Sequence, residues 1–205
     1  LLDIGLSLVL GILSSPLWIV GAIAVKAYDG GPVFYLQDRL TYRGKEFRIR
    51  KFRSMCVDSE KNGARLASKH DSRITPVGHV LRNLHLDELP QLFNVFAGDM
   101  SLVGPRPERE SIMLEYEKEL PEFYYRLKVK AGLTGYAQVY GKYNTTPYDK
   151  LKLDLFYIEN YSFLLDIKLI FMTVKIFFQK EVSEGVDDRQ VNALKDSGKN
   201  VGVSE

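Results

Sequence analysis

The sequence has almost no cysteine, because Cys56 is the single one among its 205 residues. One thiol excludes an intrachain disulfide framework and indicates a reducing compartment. The histidines His70, His79 and His85 lack the spacing of an HExxH-type site, and no cysteine–histidine cluster is present. A structural zinc site is therefore disfavoured, and any bound metal is expected to be a hard cation held by carboxylate and phosphate oxygens.

Several catalytic signatures are missing as well. The chain contains neither GxxxxGK nor GxGxxG, and it has no nucleophile elbow of the Ser-His-Asp hydrolases. The adjacent acids Asp87 and Glu88 would point about 100° apart at a helix start, so they do not face each other as glycosidase carboxylates do. The net charge of +2 indicates no nucleic-acid partner by itself, and the hydrophobic segment described below argues against one.

The positive charge is unevenly distributed. Residues 39–53 contain a single acid and seven bases, which are Arg39, Arg43, Lys45, Arg48, Arg50, Lys51 and Arg53. Apolar and basic residues alternate on either side of Arg43-Gly44, which predicts a β-hairpin that carries these charges. Such a run is either a solvated charged face or an anion site.

A long hydrophobic run begins the chain. No charged residue occurs from Ile4 to Val25, and as a helix this run would be ~33 Å long, about one hydrocarbon thickness. Ser15-Pro16 in its middle interrupts the backbone hydrogen bonding and favours a kinked, re-entrant helix, while a straight transmembrane helix stays open. We predict a membrane helix over 1–28, and the basic stretch after it places the remainder on the cytoplasmic side.

A second apolar helix is predicted over 163–178. Its polar residues form two opposite stripes, Asp166 with Thr173 and Lys168 with Lys175. A helix that lies on a membrane surface would have one polar face. We therefore predict an interfacial helix between the domain and the headgroups, with lysines that reach lipid phosphates. A core helix of the domain is the alternative.

The remainder, 29–182, is predicted as one small, mostly helical α+β domain. Apolar periodicity predicts two helical pieces that meet at Asp87-Glu88, a helix that ends near Leu120, and another over 148–161. The glycine- and tyrosine-rich stretch before that last helix is predicted to be a loop with one short strand. Residues 183–205 lose apolar periodicity and are predicted to be a flexible tail.

Phosphoryl transfer at a membrane surface fits these features. A helix that starts at Asp87 would present the positive end of its dipole to a phosphate, although a simple helix cap explains the same acid. Arg106, held between two prolines, suits a bidentate contact to phosphate oxygens, and Lys51 and Arg53 add charge. A carboxylate beside a magnesium-bound diphosphate can hold the metal or attack phosphorus.

Six motifs together resemble one known family. They are SSP in the first helix, KFRSM, LDELPQLFNV, GDMSLVGPRP, AGLTGYAQV and LDLFYIENYS, and they occur in this order from about Leu1 to Phe178. This pattern resembles the bacterial sugar transferases, the monotopic phosphoglycosyl transferases. The basic residues that precede the family's first helix are missing before Leu1, so we expect the chain to be the trimmed end of a longer protein.

The resemblance implies an enzyme with a membrane-bound acceptor. Such enzymes transfer a sugar-1-phosphate from a UDP-sugar to undecaprenyl phosphate through a covalent phosphosugar–aspartate, release UMP, and require Mg²⁺. The implied location is the cytoplasmic face of the bacterial inner membrane, with membrane lipid as a further partner and a homodimer left open. The implied process is the first membrane step of capsule, O-antigen, lipopolysaccharide or exopolysaccharide synthesis.

The resemblance also implies roles for individual residues. It places the catalytic dyad and the metal at Asp87 and Glu88, and the break of the re-entrant helix at Ser15-Pro16. The expected phosphate-binding and substrate-binding residues are Arg106, Lys51, Arg82 and Asp154, to which the charge pattern adds Arg53. The acceptor phosphate is mostly ionised near neutral pH, so we expect Glu88 to be a metal or orientation partner and not a strong base.

A non-catalytic membrane module is the alternative from another class. It would bind anionic lipid or a partner protein through the basic hairpin and the helix over 163–178. Lipid binding needs neither the acidic dyad nor Arg106, so their presence favours the enzyme. The sequence does not distinguish glucose from galactose or an N-acetylated sugar.

Overall fold

The computed structural model describes residues 2–59, 71–141 and 145–177, so the predicted tail lies outside the described residues. Seven α-helices in these ranges are α1 (Leu2–Asp29), α2 (Pro76–Asn83), α3 (Gln91–Phe96), α4 (Glu110–Glu119), α5 (Tyr136–Tyr140), α6 (Pro147–Asn160) and α7 (Phe163–Phe177). Four strands are β1 (Phe34–Leu40), β2 (Glu46–Phe52), β3 (Ser101–Val103) and β4 (Gly132–Thr134). The prediction of a mostly helical α+β protein is confirmed.

Strands β1 and β2 form the predicted antiparallel hairpin, with Phe34 opposite Phe52 and Leu40 opposite Glu46. Its turn uses left-handed backbone at Arg43 and Gly44, with φ of 59° and 75°. Burial alternates along β2, so Phe47 and Ile49 enter the core while Arg48 and Arg50, which follow them, stay exposed. The hairpin therefore presents most of its charge to the outside.

The second sheet is a short parallel pair that places the Arg106 loop. Ser101 pairs with Gly132, and Val103 pairs with Thr134. A Cβ on Gly132 would lie 2.1 Å from the backbone nitrogen of Gly104, so only glycine allows the two chains to approach this closely. The loop that contains Arg106 follows β3 directly.

Helix α1 is continuous through Pro16 and has both ends attached to the same domain. At its start the Asp3 carboxylate accepts hydrogen bonds from Ser101 Oγ at 2.9 Å and from the backbone N–H of Leu102 at 3.0 Å. At its end Asp29 forms an ion pair with Arg53. Twenty-eight residues correspond to about 42 Å of helix. The helix therefore lies along the domain and does not project away from it.

The outer face of α1 is apolar and exposed. The large exposed side chains include Leu8, Val9, Ile12, Leu13, Ile19, Val20 and Ile23. The helix is long and apolar enough to cross a membrane, yet only 11% of its most apolar stretch is buried in the protein. Such a surface is costly in water, so it marks α1 as a candidate for contact with a membrane or with another protein.

The two polar stripes predicted for α7 face different surroundings in the structure. Asp166 accepts a hydrogen bond from the Tyr157 hydroxyl at 2.8 Å, and the Thr173 hydroxyl lies 2.6 Å from that of Thr134. This stripe therefore faces the domain, while Lys168 and Lys175 are exposed on the other side. The outer face also exposes apolar side chains such as Leu164 and Phe171, while Leu169 is fully buried in the core, so α7 packs one face against the domain and leaves the other uncovered.

Candidate active site

The acidic dyad lies on a tight corner between α2 and α3. Helix α2 begins where the Thr75 hydroxyl accepts a hydrogen bond from the backbone N–H of Gly78 at 2.9 Å. After α2, His85 adopts a left-handed conformation with φ of 53°, and Leu86–Glu88 form a single 3₁₀ turn. The prediction of a helix start at Asp87 is wrong, because α3 begins only at Gln91 and has six residues.

Glu88 joins two cations that are distant in sequence. It accepts hydrogen bonds from Lys51 Nζ at 2.7 Å and from Arg106 Nη2 at 2.5 Å. Burial raises the pKa of Glu88, but Arg106 and Lys51 outweigh it and hold this pKa well below its ordinary value. In turn Glu88 raises the pKa of Arg106. Glu88 therefore stays ionised near neutral pH and acts here as a partner that orients two cations.

Asp87 has a different environment from its neighbour. Its side chain is buried, and in the described part of the chain no side chain donates a hydrogen bond to its carboxylate. Burial and then the charge of Glu88 raise the pKa of Asp87, while Lys51 and Arg82 lower it. Its oxygens are therefore available for a ligand or a reaction.

Arg82 is on α2 and acts electrostatically on Asp87. Its Nη1 atom is buried and has no hydrogen-bond partner among the described residues. A buried guanidinium nitrogen without a partner is costly, so this donor suits an anionic ligand such as a phosphate. The corner thus combines two buried groups that lack a hydrogen-bond partner among the described side chains, the Asp87 carboxylate and Arg82 Nη1.

The fit to Mg²⁺ can be tested on these donors. No group of three or more histidine, cysteine or carboxylate side chains that could hold a metal occurs in the described ranges. Mg²⁺ commonly uses one or two carboxylates, water and substrate phosphates, so a complete protein cage is not needed. Asp87 fits this pattern, whereas the Glu88 carboxylate already accepts hydrogen bonds from Lys51 and Arg106. The residues therefore fit an ion held by Asp87 together with substrate oxygens.

The Arg106 loop is held by its backbone. The carbonyl of Pro105 accepts from Gly132 N at 2.9 Å, and that of Arg106 accepts from Arg126 Nη2 at 3.0 Å. The carbonyl of Pro107 accepts from Arg39 Nη1 at 3.1 Å. The side chain of Arg106 is nevertheless 41% exposed. A rigid backbone therefore presents an accessible guanidinium beside Glu88.

A buried charge network lies beneath this loop. Arg126 donates to Asp154 Oδ2 through Nη2 at 2.7 Å and through Nε at 3.0 Å, and both side chains are 2% exposed. Glu108 accepts a hydrogen bond from Lys150 and lies 3.6 Å from Arg126 Nη1. Asp154, predicted to bind substrate, thus faces Arg126, whose Nη2 also donates to the carbonyl of Arg106.

Two other predicted residues lie outside the corner. Arg53 donates to Asp29 and to the carbonyl of Pro32, so it fastens the end of α1 to the domain. Ser15 and Pro16 are exposed on α1 and are not among the contacts of the acidic dyad in the described residues. The structure thus brings together Asp87, Glu88, Lys51, Arg82 and Arg106. Sequence reasoning missed Arg126, because a basic residue between Tyr125 and Leu127 usually indicates a surface position.

The buried network predicts a pH dependence of stability. Burial raises the pKa of Glu108, but Lys150 and Arg126 outweigh it and hold this pKa below its ordinary value. Glu108 therefore contributes stability above the pKa of the unfolded chain, about 4.3, and loses it as the pH falls through the folded value. Breaking such a network costs about 3 kcal/mol, or roughly 6–12 °C in Tm. We expect Glu108→Gln to lower Tm by this amount at pH 7 and to flatten its decrease between pH 5 and 3.

Thermal unfolding followed by the fluorescence of Trp18, the single tryptophan, measures this effect. Glu119→Gln on the exposed end of α4 is the matched control, and its Tm is expected to follow the wild type at every pH. A Glu108→Gln variant with the same Tm as the control would show that the network does not stabilise the folded protein.

Comparison with known proteins gives one family and several relatives. The family model for bacterial sugar transferases matches residues 1–180. A UDP-N-acetylgalactosamine-undecaprenyl-phosphate N-acetylgalactosaminephosphotransferase from Aeromonas hydrophila is 45% identical over 166 residues, which cover 80% of this chain and 39% of that protein. A UDP-glucose:undecaprenyl-phosphate glucose-1-phosphate transferase from Klebsiella pneumoniae is 44% identical over 177 residues, 84% of this chain and 38% of that protein.

A shorter relative is covered more fully. A UDP-glucose:undecaprenyl-phosphate glucose-1-phosphate transferase from Caulobacter vibrioides is 37% identical over 178 residues, 84% of this chain and 67% of that protein. The chain thus spans less than two-fifths of the length of the Aeromonas and Klebsiella proteins. The names of these relatives specify different sugars, while all three name undecaprenyl phosphate.

Proposed function

This chain belongs to the bacterial sugar transferase family, and we propose that it transfers a sugar-1-phosphate from a UDP-sugar to undecaprenyl phosphate. The observation that carries the proposal is the corner at 87–88. There the Asp87 carboxylate is buried and accepts no hydrogen bond from a described side chain. Its neighbour Glu88 forms ion pairs with Lys51 and Arg106. The names of the relatives support the donor and the acceptor. The sugar is left unassigned, because relatives of similar identity are named for different ones.

In the first step an Asp87 oxygen attacks the β-phosphorus of the UDP-sugar. The bond between this phosphorus and the oxygen that bridges to the α-phosphorus breaks, and UMP leaves with that oxygen and its electron pair. The product is a sugar phosphate bound to Asp87 as a mixed anhydride. Lys51, Arg82 and Arg106 supply positive charge where the leaving UMP gains negative charge.

In the second step an oxygen of undecaprenyl phosphate attacks the same phosphorus. The Asp87–phosphorus bond breaks, the carboxylate is regenerated, and a lipid diphosphate sugar forms. No proton must be removed from a phosphate that is already ionised, so this step needs no strong general base. This agrees with the role of Glu88, whose ion pairs keep Lys51 and Arg106 in position.

Magnesium is part of the proposal. When bound by Asp87 and the diphosphate, Mg²⁺ would neutralise phosphate charge and favour departure of UMP. Arg82 and Arg106 would bind those phosphate oxygens that the metal leaves open.

We also propose that α1 is re-entrant and that the domain lies on the cytoplasmic face. Asp3 and Asp29, near the two ends of α1, are fastened to one domain, which supports a helix that enters and leaves the same membrane surface. A helix that crossed the bilayer would place its two ends on opposite sides of the hydrocarbon, whereas Asp3 and Asp29 contact residues of one domain. Exposed apolar side chains on α1 and α7 support shared contact with the lipid.

The test is UMP release by protein purified in nanodiscs, with undecaprenyl phosphate, Mg²⁺ and a panel of UDP-sugars. We expect release with at least one UDP-sugar, and its loss when the metal is chelated with EDTA and regained on adding Mg²⁺. The product lipid, identified by mass spectrometry, should gain one sugar phosphate. Absence of UMP with every sugar, both from this chain and from a longer natural form, would favour the non-catalytic membrane module.

A further inference from the structure

A largely apolar cavity lies between the two helices that face the lipid. Its volume is about 250 Å³. Helix α1 contributes Leu6, Leu10 and Ser14, which lie on one face at a spacing of four residues, and α7 contributes Ile170, Thr173 and Val174. The floor is formed by α3, β3 and β4. Arg106 does not belong to this lining, although Glu88, its ion-pair partner, does.

The polar atoms of the helical walls already have partners inside the protein. Ser14 Oγ donates to the carbonyl of Leu10 at 2.7 Å and accepts from Trp18 Nε1 at 3.0 Å. The Thr173 hydroxyl lies 2.6 Å from that of Thr134 and also contacts the carbonyl of Leu169. These groups leave little for a polar ligand to bind. A nucleotide or a sugar therefore fits this cavity poorly, whereas a hydrocarbon fits it well.

Glu88 and His85 connect the cavity to the catalytic corner, because both belong to its lining. Glu88 also holds Lys51 and Arg106. A ligand whose hydrocarbon part occupied the cavity would thus have its head group beside two cations and next to Asp87. Undecaprenyl phosphate has this combination, since an anionic phosphate is attached directly to an isoprenoid chain.

The size of the cavity agrees with the start of such a chain. A dry apolar cavity of roughly 150 Å³ can hold a six-carbon benzene ring. By the same ratio, a cavity of about 250 Å³ holds about ten carbons, which correspond to two isoprene units.

We propose that the cavity between α1 and α7 binds the first isoprene units of the acceptor, and that the acceptor enters from the lipid between these helices. This inference rests on the proposed function and adds an entry path for one of its two substrates. The UDP-sugar reaches the same corner from the exposed side of Arg106. The two substrates therefore approach Asp87 from opposite environments, one from lipid and one from water.

Filling the cavity tests the proposal. We expect Leu10→Trp on α1 and Val174→Trp on α7 each to raise the KM for undecaprenyl phosphate at least tenfold in the UMP-release assay. The KM for the UDP-sugar should change less than twofold. The matched controls are Leu8→Trp and Phe171→Trp, which add the same ring on the outer faces of α1 and α7 and should change neither KM more than twofold.

The two helices are altered in separate variants, so that misfolding of one variant does not decide the result. The Tm of each variant shows whether it is folded. An unchanged KM for undecaprenyl phosphate in both variants would overturn the inference, as would an equal rise in both KM values. Those outcomes leave the proposed function intact, because the wild type would still release UMP. Failure of the wild type to turn over with any UDP-sugar would instead remove the proposed function, and this inference with it.

Discussion

Replacing Asp87 with asparagine is expected to abolish UMP release, with a fall in kcat of at least about 1,000-fold. An amide has nearly the size of the carboxylate but is not a nucleophile toward phosphorus. The carboxylate is buried without a hydrogen-bond donor among the described side chains, and burial raises its pKa. A neutral amide is therefore tolerated there at least as well as the charge, and Tm should stay the same or rise.

The combination of lost activity and kept stability distinguishes a nucleophile from a structural acid. Asp38→Asn on the exposed side of β1 is the control, since that side chain is 64% exposed, and its kcat should match the wild type. Incubation of the wild type with UDP-sugar and Mg²⁺, without the acceptor, should add the mass of one sugar phosphate to the protein, and Asp87→Asn should show no such addition. An asparagine variant that kept a tenth of the wild-type kcat would exclude Asp87 as the nucleophile.

The second largest effect is expected for Arg106→Lys, with a fall in kcat/KM for the UDP-sugar of about 100-fold. Lysine keeps the charge but replaces a planar fork with one ammonium group. In the structure Nη2 donates to Glu88 Oε1 at 2.5 Å and Nη1 to Glu88 Oε2 at 3.5 Å, so a phosphate would bind the outward-facing N–H groups of a side chain that is 41% exposed. A lysine can satisfy Glu88 or the phosphate, but it does not hold both in a fixed orientation.

Arg48→Lys is the matched control, because Arg48 lies on the exposed face of β2 and is 72% exposed. Its kcat/KM should stay within twofold of the wild type. Steady-state UMP release with the UDP-sugar varied measures both variants. Near-normal turnover of Arg106→Lys would show that only the charge at this position matters, and it would remove the bidentate contact from the mechanism.

Elements built from local patterns could be predicted from the sequence. The hairpin around Arg43-Gly44 follows from alternation and a glycine that accepts positive φ, and α6 follows from its apolar period. The corner at Asp87 was predicted less well, because nothing in the letters indicates that His85 adopts a left-handed conformation. Helix α5 was predicted as loop, since five residues among glycines and tyrosines are too few for a helical period.

The candidate site was found in the sequence mainly through motifs. Asp87, Glu88 and Arg106 come from motifs whose order along the chain resembles the family, and the family model confirms that membership. Physical reasoning could state that a proline-flanked arginine suits a phosphate. It could not state that Lys51 and Arg106, 37 and 18 residues from Glu88, meet on its carboxylate. Pairings over such distances depend on how β2 and the Arg106 loop pack against the corner.

The sequence by itself determined the apolar length of α1, the positions of most secondary-structure elements and the family, because these depend on local composition and on order along the chain. Tertiary structure decided that α1 lies along the domain, that Asp154 faces Arg126, and that a cavity separates α1 from α7. These features arise from contacts between residues far apart in the chain. In each case charged groups or apolar faces from different segments are buried against one another, and the sequence of one segment does not specify its partner.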